Sequence, residues 1–201
     1  MPEAKEVVVF LPNWVGDVVM ATPALAALRE HFAQARLTFV GRPGALETLA
    51  GSGLCDDQIV DPSKQRPRLR KWMALAREIR RRRFDHAILL PNSFRSAALA
   101  WVGGAKRISG YDRDLRGWML TDRLRPRRDA RGRFVPVPAI DYYNALAERL
   151  GTGPAARRMR LAVRDEDARA ADGLLAEAGH DPSRPLVMLN PGAAFGVSKM
   201  W

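Results

Sequence analysis

The 201-residue chain is predicted to fold as an α/β protein built on a parallel sheet. Three observations predict it. Short apolar, β-branched runs such as Glu6-Val-Val-Val-Phe-Leu11 have the pattern of strands buried on both faces. Between them lie stretches with apolar residues at helical spacing. The two kinds of segment alternate, which calls for right-handed crossovers and parallel strands. The composition, 47% hydrophobic and 27% charged, is ordinary for a globular chain and excludes a disordered one.

Each element follows from its local pattern. Residues 6–11 form the first strand, and Pro12-Asn-Trp-Val-Gly-Asp17 a turn. Val18, Val19, Leu25, Leu28 and Phe32 then give a helical pattern containing Pro23. Either Thr22 caps a helix starting at Pro23, or the helix starts near Gly16 and bends. Residues 36–40 are a second strand, 41–44 a turn, 45–50 a short helix and 57–60 a weak third strand. A Pro- and Arg-rich loop over 61–68 leads into a helix over 69–83, with Trp72, Leu75, Ala76 and Ile79 on one face. Residues 84–90 are a fourth strand, and Ser93 is placed to cap a helix reaching Trp101. Residues 107–109 form a short strand, 110–138 mostly loop, and 140–150 a helix ended by Gly151. A helix over 164–179 and a strand over 185–190 complete the pattern. Exposed apolar surface is expected at 186–189, because nothing follows to bury that strand.

In such a sheet ligands bind beyond the C-terminal strand ends, so 12–17, 41–44, 61–68 and 91–95 are the candidate site loops. Cys55 is the only cysteine, which excludes a disulfide scaffold and fits a reducing compartment. No stretch has the length and apolarity of a membrane span. The first six residues lack the pattern of a signal peptide, so a cytoplasmic location is expected.

The net charge of +11 is concentrated. Residues 64–83 net +9 and residues 106–133 net +6, leaving the remainder at −4. Two basic windows on a near-neutral body suggest an anionic partner: nucleic acid, an anionic membrane surface or a phosphorylated substrate. The 28 Arg among 33 basic residues, with abundant Ala, also fit a compositional bias and a merely solvated face. Neither window interleaves aromatics as a stacking nucleic-acid platform does, and no nucleic-acid motif occurs.

Several motifs fail on context. Gly151-Thr-Gly153-Pro-Ala-Ala156 follows a helix rather than a strand, so it is not a dinucleotide fingerprint. His31, His86, His180 and Cys55 are scattered and compose no metal ligand set, and no Ser/His/Asp triad stands out. The first strand–turn–helix is more informative. Asp17 lies at the strand's C-terminal end beside Gly16, at or just before a helix N-terminus that favours its charged form. A carboxylate in a cleft there can serve as general base toward a sugar hydroxyl, although a first-turn acid is also common for stability alone. Asn190-Pro-Gly-Ala-Ala-Phe-Gly196, followed by Lys199, offers small residues and amides to a phosphate.

Three segments together resemble the ADP-heptose:lipopolysaccharide heptosyltransferases, and heptosyltransferase II more than I. They are Asn13-Trp-Val-Gly-Asp17, Leu90-Pro-Asn-Ser-Phe-Arg-Ser96, and Asn190-Pro-Gly-Ala-Ala-Phe-Gly196 with Lys199-Met-Trp201. The resemblance implies the N-terminal half of a GT-B fold: a Rossmann-like acceptor-binding domain over 1–180 and the first strand and turn of a donor-binding domain over 181–201. It implies inverting transfer of heptose from ADP-L-glycero-β-D-manno-heptose to the lipopolysaccharide inner core, with no metal or other cofactor. Asp17 matches the family's proposed base, Lys199 and Gly192 fall in the donor-phosphate segment, and Asn92 and Ser93 are assigned to the acceptor. Lys64, Arg66, Arg113 and Arg116 are assigned to acceptor carboxylates and phosphates on charge and loop position. The implied partners are the nucleotide-sugar donor, an anionic lipopolysaccharide precursor and, peripherally, the inner face of the inner membrane, with no nucleic acid. The family continues well past the last segment, so a truncated chain is expected. The alternative is a non-catalytic module that binds the acceptor or anionic lipid.

Overall fold

The computed structural model describes residues 4–62 and 67–189. Six parallel strands form one sheet: β1 (Glu6–Phe10), β2 (Arg36–Gly41), β3 (Asp57–Val60), β4 (His86–Leu89), β5 (Arg107–Tyr111) and β6 (Asp122–Leu124). Their order is β3-β2-β1-β4-β5-β6, the doubly wound Rossmann-like arrangement. The helices are α1 (Val15–His31), α2 (Pro43–Thr48), α3 (Arg68–Arg82), α4 (Phe94–Val102), α5 (Ala139–Arg149) and α6 (Asp165–Glu177). The chain divides into two compact units, Met1–Val163 and Arg164–Trp201, and α6 groups with the second.

β1 shows why its sequence is apolar throughout. Val7 and Val9 join a buried cluster with Leu25 and Leu28 of α1 and Leu146 of α5. Val8 and Phe10 join another with Leu75 and Ile79 of α3 and Leu99 of α4. Alternate side chains thus enter two cores, one on each face of the sheet.

The structure decides how α1 begins. It runs from Val15 with Pro23 inside. Pro23 has no amide to give the carbonyl of Val19. The Thr22 hydroxyl donates to that carbonyl at 2.8 Å and also accepts the Arg160 amide at 3.1 Å. Thr22 is therefore a patch within the helix, not its cap. At α4 the cap is as predicted: Ser93 Oγ accepts the Ser96 amide at 3.2 Å.

One expectation holds with an addition and one is corrected. The 110–138 stretch is mostly loop, as expected, but also contains β6 and a single 3-10 turn over Gly117–Met119. β6 has no apolar run and exists because β5 leaves an edge for it to extend. The described part of the strand expected over 185–190 is not a strand: residues 185–189 pair with no neighbour among the described residues. A strand needs a ladder partner, and the sequence pattern alone does not provide one. Leu186, Val187, Met188 and Leu189 are exposed, as expected of an unburied apolar run. Within the second unit, α6 opens with Asp165, Glu166 and Asp167 in its first turn, where the helix dipole favours them. Gly179, at φ 75°, follows its C-cap Ala178.

Candidate functional site

At the C-terminal edge of the sheet the strand order reverses between β1's two neighbours, β2 and β4. That reversal opens a crevice. A cleft of about 700 Å³ occupies it and draws residues from all four predicted loops: Asn13, Arg42, Asp61 and Ser93 among them. Trp72 and Leu99, from α3 and α4, close its apolar side.

The cleft is cationic. Arg95 and Asp61 form a two-pronged ion pair at 2.5 and 2.9 Å, so that arginine is neutralised. Arg42 and Arg68 also line the cleft, and neither has an acidic partner among the described residues. Arg42 Nε is buried and donates to nothing there. A buried donor without a partner is costly, and an oxyanion is its natural complement. Arg42, Arg68 and Arg95 have no site role in the sequence reading, although Arg95 lies in the Leu90–Ser96 segment and Arg68 in the first basic window. The signal that could have found them is their place within two residues of a strand end or helix cap in a candidate loop.

A second assembly lies where the β4–α4 and β5–β6 loops meet α5. Asp114 and Leu115, at φ 53° and 58°, are successive non-glycine residues in left-handed conformation. Beyond them the Arg116 side chain is buried. Its Nε donates to the Tyr111 carbonyl at 3.0 Å, its Nη1 to the carbonyls of Pro91 and, at 3.3 Å, Ser93, and its Nη2 to Asn92 Oδ1 at 3.2 Å. Burial lowers the guanidinium pKa to about 10, which leaves it charged at neutral pH. Asn92 Oδ1 also accepts the Tyr142 hydroxyl at 3.0 Å. The Tyr142 ring stacks on Tyr111 at 3.7 Å.

This assembly corrects one expectation. Arg116 does not face a ligand, because backbone carbonyls and Asn92 take up its donors inside the protein. It braces the loops instead. Arg113 is half-buried, with its guanidinium 4.2 Å from the Phe134 ring centroid, and Arg128 lies 4.1 Å from the same ring. Asn92 turns toward Tyr142, whereas its neighbour Ser93 lines the cleft.

Asp17 is the third residue of α1, over the end of β1. It has no hydrogen-bond or ion-pair partner among the described residues and is not among those lining the cleft. Its charge reaches Tyr143, whose pKa is raised first by burial and then by Asp17. A Cβ built on Gly16 meets nothing within 4 Å, so the space before Asp17 is open. Lys64, Arg66, Gly192 and Lys199 lie outside the described residues. Among the described residues no group of three or more His, Cys, Asp or Glu could hold a metal ion. No described helix is long and apolar enough to cross a membrane.

Comparison with known proteins adds to this geometry. The family model of glycosyltransferase family 9 (heptosyltransferase) matches residues 72–201. Lipopolysaccharide heptosyltransferase 2 of Salmonella typhimurium is 25% identical over 201 residues, covering 98% of this chain and 56% of that protein. The crystal structure of a family 9 glycosyl transferase from Veillonella parvula superposes with a TM-score of 0.81 at 25% identity, over 96% of this chain and 54% of that one. The E. coli ADP-heptose lipopolysaccharide heptosyltransferase II structure gives 0.75 at 24% identity, over 98% and 57%. The chain thus spans about half the length of the relatives it matches.

Proposed function

The chain belongs to glycosyltransferase family 9, the heptosyltransferases, and from that premise we propose that it acts in transferring heptose from ADP-L-glycero-β-D-manno-heptose to the lipopolysaccharide inner core, the heptosyltransferase II reaction. The observation that carries this reading is the cationic cleft at the strand-order reversal, with a carboxylate at the same sheet edge. Arg42 and Arg68 suit the carboxylates and phosphates of an inner-core acceptor. Asp17 takes the proton from the acceptor hydroxyl as its oxygen attacks the anomeric carbon. The bond from that carbon to the ADP β-phosphate oxygen breaks on the opposite face, inverting the centre and releasing ADP. Lys199 offsets charge on the departing diphosphate, with basic side chains rather than a metal in that role. The setting is the cytoplasmic face of the inner membrane, where both substrates meet.

The test follows ADP release from ADP-heptose with a heptosylated Kdo–lipid A acceptor. Asp17→Ala should lower turnover by about a hundredfold or more, while acceptor binding is spared. Turnover retained in that variant removes Asp17 as the base. Absence of transfer by the intact protein, together with absence of acceptor binding, removes the reading.

A further inference from the structure

The surface of α4 and of the 3-10 turn Gly117–Met119 carries exposed aromatic rings, beside unpaired cations on and just after α3. Phe94, Trp101 and Trp118 are 50%, 54% and 59% exposed. Trp118 joins the other two: Trp101 and Trp118 centroids lie 5.5 Å apart at 72°, and Phe94 and Trp118 6.5 Å apart. Trp101 also borders a shallow groove at the C-terminal ends of the two helices, where Arg77, Arg80, Arg81, Arg83 and Lys106 converge. Arg81 is held by Glu78 and Lys106 by Asp85. Arg77, Arg80 and Arg83 have no acidic partner among the described residues. A contiguous aromatic cluster joined to unneutralised guanidinium groups is not what solvation alone requires.

We propose that this face, through Phe94, Trp101 and Trp118 with Arg77, Arg80 and Arg83, docks the protein on an anionic phospholipid bilayer. The proposal takes the lipid nature of the acceptor from the functional reading above. Indole and phenyl rings suit the headgroup level of a bilayer, and free arginines suit its phosphates. Single-stranded nucleic acid fits less well, because rings packed edge-to-face do not present parallel platforms for bases. The face also adjoins the cleft. Trp72 lines both the cleft and a small apolar recess with Met73, Ala76 and Val102. A protein resting on this face would hold the cleft beside lipid-anchored material.

The experiment is co-sedimentation of the full chain with phosphatidylcholine vesicles, with and without phosphatidylglycerol. The wild type should bind the anionic vesicles, more weakly as salt rises, with a blue shift of tryptophan emission. Trp101→Ser/Trp118→Ser should weaken binding roughly tenfold, and Arg77→Gln/Arg80→Gln/Arg83→Gln comparably. These residues are exposed, so circular dichroism should be unchanged. Absence of vesicle binding, equal binding to neutral vesicles, or undiminished binding of the tryptophan variant overturns the proposal. Preference for a single-stranded oligonucleotide over anionic vesicles overturns it too. Binding of a soluble heptosylated Kdo oligosaccharide, measured in parallel, separates the two readings. Its loss with vesicle binding intact removes the acceptor assignment alone, and the reverse removes the docking face alone.

Discussion

The guanidinium of Arg116 donates to Asn92 Oδ1 at 3.2 Å across 24 residues of sequence. The two belong to different loops, and the same guanidinium holds the carbonyls that flank Asn92. The β4–α4 loop, which carries both Asn92 and the cleft residue Ser93, is thereby fixed from below by a buried cation.

Arg116→Met should therefore destabilise the protein by about 3 kcal/mol or more, since several buried acceptors lose their donor together. Arg116→Lys should recover only part of this, because an ammonium cannot span acceptors placed for a planar fork. Urea unfolding of the three proteins checks both statements.

Tyr142 and Asn92 should be energetically coupled. Removing the Tyr142 hydroxyl with Tyr142→Phe takes a donor from Asn92 Oδ1 and should cost about 1 kcal/mol. In Asn92→Ala the hydroxyl has already lost that acceptor, so the second substitution should cost less. A double-mutant cycle reads the difference directly, and strict additivity would contradict the shared hydrogen bond.

Thr22→Val should cost about 1–2 kcal/mol despite its near-identical shape. The substitution leaves the Val19 carbonyl opposite Pro23 without a donor and the Arg160 amide without an acceptor. Pro23→Ala in the same background should recover part of the loss, because the alanine amide can serve the Val19 carbonyl. Thermal unfolding of the single and double variants measures this.

Stability should also fall in mildly acidic solution through His86. Burial, with help from the nearby Arg107 charge, lowers its pKa to about 4, so the folded ring is neutral. The unfolded chain takes up the proton first. The stability this group contributes is complete above about pH 6.5 and is lost as pH falls toward 4, by at most about 3 kcal/mol. His86→Gln should flatten that part of a urea-midpoint profile. Its Ser109 partner, 2.7 Å from Nε2 in the native protein, can still be met by an amide.

Much of the architecture was legible because it rests on local pattern. β3 spans the expected Asp57–Val60, and the Ser93 cap follows from one side chain placed before an apolar helix. The four site loops were legible as well, since strand direction alone puts them at one sheet edge. Three matters depend on distant chain segments and were not legible. β6 is Asp-Arg-Leu, a strand only because β5 has a free edge beside it. The apolar run at 185–189 is the converse, a strand pattern with no ladder partner among the described residues. Arg116 sits in a charge-rich stretch that suggests surface. Only the packed structure gathers the carbonyls of Tyr111, Pro91 and Ser93 around a guanidinium that a Cβ at Gly110 would approach to 3.4 Å. Sequence periodicity by itself determined most of the helices and strands, and strand direction placed the candidate loops at one sheet edge. Tertiary structure decided which cations face the cleft and which are consumed inside, because hydrogen-bond satisfaction of a buried charge is a property of the neighbours that folding brings to it.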